Sequence, residues 1–284
     1  MIGKRRQHTT VHVEEIYDPE IGEARGVIRR TWPAGKVRHS RRLPSHKVAA
    51  WIAHYWFVEW DLRRCKPQLI ETVPHPNVHL VFENGTAEVG GVHSSRFSRI
   101  LRGYGRVFGV KFQPGGFHPF LGRPVATLAN RVVPASRIFG ESLRTIEQMV
   151  FSESDEDDVV AAANDFFTAR MPKPNRMVAL AGQLVKKILS TPDLKKVEDL
   201  VIWSGLNKRR LKRLFREYVG ASPKWVIQRY RLHELLEQIN SGRRVNWSQL
   251  ALELGYFDQA HLINHFKSII GCSPAQHKKR VRTS

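Results

Sequence analysis

The chain has 284 residues, with 46 Lys and Arg against 26 Asp and Glu, a formal net charge of +20 and a pI near 10.5. That length favours two compact cores over one, and the charge points to polyanionic partners, nucleic acid before anionic membrane. The two cysteines, Cys65 and Cys272, have no C-x-x-C spacing, which argues against a zinc finger or a disulfide scaffold and fits a reducing cytoplasm.

Residues 1–10 are basic but lack the apolar stretch of a signal peptide, and the longest near-apolar run, 48–58, is too short to span a bilayer. A soluble, cytoplasmic protein with no membrane partner is the expectation. Residues 1–42 are polar and rich in charge and read as a loosely held arm or the first edge of a sheet. A helix is expected over 48–54, then a strand over 55–60, where aromatic and β-branched residues cluster. Further strands are expected at 78–82, 87–92 and 106–112, divided by Asn84-Gly85, Gly90-Gly91 and Pro114-Gly115-Gly116. A barrel or half-barrel is the natural closure.

From Phe120 the pattern turns helical, with Leu143, Ile146, Met149 and Val150 at helical spacing. The acidic run 152–158 reads as a solvated linker whose carboxylates suit the N-terminus of a helix over 159–170. Met171-Pro172-Lys173-Pro174 breaks that helix. The expected domains are therefore 1–150, a β-rich sensor or effector domain; 151–175, an acidic linker and helix; and 176–284, a DNA-binding domain. Charge follows this division, since 176–284 hold 21 Lys and Arg against 8 Asp and Glu.

A repeat organises the last third. Leu211, Phe215, Gly220, Ser222 and Pro223 recur as Leu262, Phe266, Gly271, Ser273 and Pro274. Each copy reads as the second helix of a helix-turn-helix, with Asn207 and Asp258 as N-caps, Gly220 as a left-handed stop, and Ser222-Pro223 opening the next helix. In the first copy Leu211, Leu214, Phe215 and Tyr218 form an inward stripe, and Arg209, Lys212, Arg213 and Arg216 form the opposite one. In the second, Leu262, Phe266 and Ile269 turn inward while Gln259, His261, Asn264, His265 and Lys267 are available outside. Arg and Lys suit guanine or phosphate, and Asn and Gln can pair with adenine in the major groove. Between the copies, apolar positions from Val226 to Ile239 cover more than one face, as a helix joining two subdomains requires. The closing basic run 278–282 reads as a phosphate-contacting or solvated tail.

These residues resemble the AraC/XylS family of bacterial transcription regulators over about 178–280. The resemblance rests on the doubled Leu-x-x-x-Phe-x-x-x-x-Gly-x-Ser-Pro, on Arg231 in the connecting helix, and on Leu-Gly-Tyr-Phe-Asp-Gln-Ala-His-Leu at 254–262. It implies an all-helical, bipartite DNA-binding domain whose groove-reading side chains are Arg209, Lys212 and Arg213, then Gln259, His261 and Asn264. Val201 departs from the alanine usual at that position, whereas Ala251 keeps the small residue. The N-terminal half is similar to the sensor-like domain of one subgroup through Tyr55-Trp56, 75–82 and 110–116, which implies a cupin-like, β-rich effector domain.

The fold class expected is thus α+β multidomain, a β-rich cupin-like or half-barrel domain followed by an all-α domain with two helix-turn-helix units joined by a long helix. The function expected is sequence-specific transcription regulation, with Arg209, Lys212, Arg213, Arg216, Gln259, His261, Asn264 and Lys267 as the DNA-binding residues. The partners are double-stranded promoter DNA, with RNA polymerase, a small-molecule effector and a second copy of the chain as further candidates. No catalytic residue, metal or cofactor is called for. His54, His75, His79, His93 and His118 form no recognisable ligand set, and Trp51, Trp56, Trp60 and Phe57 read as core more readily than as a ligand pocket. A non-specific architectural DNA binder and a cupin-type metalloenzyme with a DNA-binding appendage stand as alternatives.

Overall fold

The computed structural model describes residues 10–11, 14–17, 20–21, 26–28, 32–33, 36–152, 154–241 and 246–283. In chain order the strands are β1 (Thr10–Val11), β2 (Glu14–Tyr17), β3 (Trp32–Pro33), β4 (Lys36–Arg42), β5 (Ile52–Leu62), β6 (Gln68–Thr72), β7 (His79–Glu83), β8 (Thr86–Gly90), β9 (Phe97–Leu101), β10 (Gly103–Phe112) and, after a short helix α1 (His118–Leu121), β11 (Val132–Pro134). Seven of them make one sheet in the order β11-β8-β7-β10-β5-β4-β2, with β6-β9 and β1-β3 as separate pairs. The N-terminal half is β-rich, as expected. Its large sheet is open, because β11 and β2 are the two ends and do not pair with each other.

One expectation for the start of this half is corrected. Residues 48–54 do not form a helix. A turn closed by Ile52 N–H donating to Val48 O at 3.0 Å leads into β5, and Ile52 and His54 already face Phe112 and Lys111 of β10. Strand pairing extends the aromatic run upstream and overrides the local helical pattern. Of the two readings of 1–42, the sheet edge is the one that holds among the described residues: β2 is the end strand of the large sheet and pairs with β4, which is bonded in turn to β5. The turn at Asn84-Gly85 is as expected: both residues have positive φ, 48° and 77°, which a two-residue hairpin loop needs.

Alternation divides the sheet into two faces. Tyr55 and Phe57 of β5, Phe108 and Val110 of β10, and Leu80 and Phe82 of β7 turn to one side and are buried in the main core. There the Phe57 and Phe82 rings lie 4.8 and 5.5 Å from Phe108. Helices α2 (Ser136–Phe139), α3 (Arg144–Phe151) and α4 (Glu156–Ala169) cover that side, through Ile146, Val150, Val159, Ala163, Phe166 and Phe167.

The acidic linker is therefore a further correction. Asp155 does cap α4, accepting from Asp157 N–H at 2.8 Å, but Glu156 is buried against the sheet. Its carboxylate accepts from Ser40 Oγ at 2.7 and 2.8 Å and pairs with Arg38 at 2.7 Å and Arg42 at 3.0 Å. A carboxylate so desolvated persists because two guanidiniums and a hydroxyl fill its lone pairs. The helix belongs to the N-terminal core.

After 171–175, which carry no regular structure, come α5 (Arg176–Ser190), α6 (Val197–Ser204), α7 (Lys208–Leu214), α8 (Pro223–Asn240), α9 (Trp247–Glu253), α10 (Gln259–Ile270) and α11 (Pro274–Thr283). Helices α6–α7 and α9–α10 are the two helix-turn-helix units. Leu184, Leu200, Leu211 and Phe215 centre the first core, and Leu235, Leu250, Leu262 and Phe266 the second. Helix α8 contributes Val226, Ile227 and Tyr230 to one and Leu232, Leu235, Leu236 and Ile239 to the other. The basic tail lies on a helix, 274–283, which buries His277 and leaves Lys279 and Arg280 exposed.

Candidate nucleic-acid interface

Each recognition helix is set by the capping chemistry its sequence encodes. Asn207 accepts from Arg210 N–H at 2.9 Å, Asp258 from His261 N–H at 2.7 Å, and Ser222 from Trp225 N–H at 3.2 Å. Gly220 and Gly271 take left-handed φ of 88° and 84°, closing the helices as expected. The first recognition helix does not stay α-helical: 215–219 form a π-turn closed by Gly220 N–H donating to Phe215 O at 2.9 Å. That wider turn keeps Phe215 and Val219 buried and leaves Arg216 exposed.

On α7, Leu211 and Leu214 are buried while Arg209, Lys212 and Arg213 are exposed, with Arg216 following on the π-turn. Among the described residues these four cations form no ion pair, so their charge is available to an external anion. The cation that precedes them, Lys208, is committed to Glu198 of α6 at 2.6 Å. Arg210, which lies off the Arg209–Arg216 stripe, is also exposed. Its signal was the unbroken 208–210 basic run at a helix start.

On α10, Gln259, His261, Asn264 and Lys267 are exposed and Leu262, Phe266 and Ile270 buried. Ile269, expected inside, is only half-buried, with Ile270 taking its place in the core. Gln259 Oε1 accepts from Ser248 Oγ at 2.8 Å, tying α10 to α9 and leaving the amide NH₂ as the outward donor. His265 turns inward, its Nδ1 within 2.7 Å of Tyr256 Oη, and burial together with Arg229 pushes its pKa down. The two units thus present unequal chemistry on a common scaffold, charge on α7 and neutral hydrogen-bonding groups with one lysine on α10. Phe257, 86% exposed in the turn before α10, and Ile202, 81% exposed on α6, stand beside these surfaces. Composition carries no mark that would separate them from core residues.

Residues 204–280 match a family described as a helix-turn-helix domain. The C-terminal domain is an AraC-type helix-turn-helix domain. Residues 40–134 match a second family, described as a domain of unknown function (DUF6597). No curated protein matches the chain. Solved structures that resemble it include an apo ToxT variant from Vibrio cholerae strain SCE256, 12% identical, covering 84% of this chain and 100% of that one with a TM-score of 0.40. ToxT from Vibrio cholerae O395 is 12% identical over 88% of this chain and 99% of its own, TM-score 0.36. Unsaturated fatty acid bound wild-type ToxT from strain SCE256 is 12% identical over 86% and 94%, TM-score 0.35. Likenesses this distant carry no functional argument.

In this AraC-type domain Arg231 holds the first unit to α8. It is 1% exposed, pairs with Glu234, and donates to the carbonyls of Thr191 at 2.9 Å and Ile188 at 3.0 Å, with Leu194 O at 3.4 Å. These are the open carbonyls at the end of α5 and in the loop behind it, a cationic cap on a helix C-terminus.

The β-rich half touches this domain at several places. Arg96 donates to Ile270 O at the end of α10 and pairs with Glu71 at 3.4 Å. His118 Nε2 lies 2.9 Å from Glu217 Oε1, and a Cβ at Gly220 would stand 2.9 Å from Val125. On α8, His233 Nε2 meets Val73 O at 3.0 Å and Arg229 donates to Ser94 O. Of the five histidines weighed as a ligand set, His75 meets His233 edge-on with ring centroids 4.3 Å apart, and His118 lies tilted against Tyr218 at 4.3 Å. Phe57 lies in the main core and Trp51 is buried, while on the sheet's other face Trp60 is buried in a smaller cluster against which half-buried Trp56 packs.

Proposed function

We propose that the protein regulates transcription by binding a bipartite site in double-stranded promoter DNA, with α7 and α10 entering successive major-groove segments. The observation that carries this reading is the pair of exposed, differently charged helix faces fixed to the two ends of one buried helix, α8. At about 1.5 Å per residue its 18 residues span about 27 Å, suited to two readers near one DNA turn of ~34 Å apart. Arg209, Lys212, Arg213 and Arg216 supply phosphate and guanine contacts. Gln259, His261 and Asn264 read bases, and Lys267 meets phosphate.

The β-rich half, which we place at 1–170, acts as an effector domain. Its contacts at Ile270, Gly220 and α8 sit at the ends of both reading helices, where a small change in the sheet alters their mutual placement. Control runs by binding rather than catalysis, with a small molecule as effector. RNA polymerase is the partner at the promoter. One chain carries both readers, so a monomer suffices for one site and a homodimer would extend it.

Selection of genomic fragments bound by the full chain tests the proposal. Enrichment of a short motif with two conserved blocks about one helical turn apart is expected. Uniform recovery of fragments would leave a non-specific architectural binder.

A further inference from the structure

The face of the large sheet turned away from the main core carries a row of basic groups that the regulatory reading does not use. Lys111 of β10 lies directly opposite His54 of β5 on one side and His79 of β7 on the other. Arg41 of β4, opposite Trp56, extends the row by one strand and is 5% exposed. None of Lys111, His54 and His79 is exposed. Among the described residues Lys111 forms neither an ion pair nor a side-chain hydrogen bond. Glu83, on the same face of β7, is committed to Arg99.

A second donor points the same way. Trp56 Nε1 is buried without an acceptor. Its indole is laid flat across β10, where a Cβ on Gly109 would come within 2.0 Å of it, and its ring edge faces His79 with centroids 6.2 Å apart. Among the described residues, neither Lys111 nor Trp56 Nε1 has an acceptor here. Buried donors and ammonium groups are ordinarily paired, and leaving both unpaired costs stability. Burial first, then Arg41, pushes Lys111 down to about 8, and burial with Lys111 holds His79 near 3 and His54 near 2. All three shifts follow from burial beside other basic groups.

We propose that this face binds a small organic molecule through a compact oxyanion, a carboxylate or a phosphate, held between the Lys111 ammonium and the Trp56 N–H, with the indole and the flanking Val58 and Val81 against the organic body. Charge-assisted donors favour an oxyanion, and a field this cationic repels a metal ion. The inference rests on the reading of the β-rich half as an effector domain, and the structure supplies a route for it. The strand bearing Lys111 runs into Gly115, which lies against Val178 and Ala181 of α5. The segment before His79 holds His75 against Tyr230 and His233 of α8.

Benzoate, phenyl phosphate and neutral benzamide, titrated into the full chain and read by thermal shift, test the site. A saturable rise in Tm is expected with benzoate or phenyl phosphate, not with benzamide, and with at least a tenfold weaker apparent affinity in Lys111→Met. The anion that acts tells carboxylate from phosphate. Trp56→Phe, which keeps the ring and removes the donor, should weaken binding severalfold, so the test survives if Lys111→Met misfolds. No response to either anion, or a response equal in both variants, overturns the proposal. Promoter-fragment affinity measured with and without the active anion separates the two readings. An anion that binds through Lys111 and leaves DNA affinity unchanged refutes effector control but not the site.

Discussion

Replacing Arg231 by alanine should unfasten the first helix-turn-helix unit from the helix that joins it to the second. The guanidinium is 1% exposed and donates at good distance to Thr191 O and Ile188 O, with a longer bond to Leu194 O. Removing it leaves these carbonyls in a site that water enters poorly. Two charge-assisted bonds at about 1.5 kcal/mol each, with the buried methylenes added, put the loss at about 3–5 kcal/mol, the range for breaking a buried charged network. Glu234 loses its partner too, but its side chain is 26% exposed and keeps contact with water, so it adds little. Arg231→Lys retains the charge but cannot reach several diverging carbonyls from one ammonium, and should recover less than half. Urea denaturation of the full chain, followed by tryptophan fluorescence, measures both. A loss below about 1 kcal/mol for alanine, or full recovery by lysine, would refute the capping role.

Three other outcomes are expected. Arg213→Ala should relax base preference at one position of a selected site by ~1–3 kcal/mol, whereas Lys267→Ala should weaken all sequences alike and lower the salt dependence of binding by about one counterion, both readable by titration at several salt concentrations. The histidines His39, His54 and His79 are held, chiefly by burial, near 4, 2 and 3, below the ordinary 6.5 of an unfolded chain. The unfolded state then binds more protons below pH 6.5, so stability falls as pH drops through 6.5 towards 4, by up to about 1.4 kcal/mol per unit for each histidine. A His54→Gln, His79→Gln double variant should flatten that slope in melts between pH 7.5 and 5, and an unchanged slope would count against it. Glu156→Gln, which leaves Arg38 and Arg42 beside a neutral amide, should lower Tm by several degrees, while Asp157→Asn, exposed on the same turn, should change it little.

The C-terminal domain was largely legible because its signals are local. Asn207, Ser222 and Asp258 cap helices through atoms three residues away, and the glycines at 220 and 271 take φ values no other residue takes cheaply. The N-terminal half was legible where hydrophobic alternation was strong, as in β5 and β10, and opaque where partners come from far along the chain. Strands β6 and β9 expose Leu69, Phe97 and Ile100 and hold together through pairing about 30 residues apart, so neither shows a clear buried face in sequence. Glu156 reads as one carboxylate among many until Ser40, 116 positions earlier, is folded against it. In the interface, the face of α7 was visible from spacing. The π-turn at 215–219 and the exposure of Phe257 were not, because both follow from how the turn packs. The row of Lys111, His54 and His79 escaped because only strand register brings those residues side by side.

The most direct test of the two-reader account is hydroxyl-radical footprinting on a selected promoter fragment with the wild-type chain and two variants. One carries Arg209→Ala, Lys212→Ala and Arg213→Ala; the other carries Gln259→Ala, His261→Ala and Asn264→Ala. Wild type should protect two segments about one turn apart on one face of the DNA. The first variant should lose one segment and most of the affinity, and the second should lose the other segment with a smaller loss of affinity. Protection of a single segment by wild type, or identical footprints from the two variants, would contradict the assignment of α7 and α10 as separate readers.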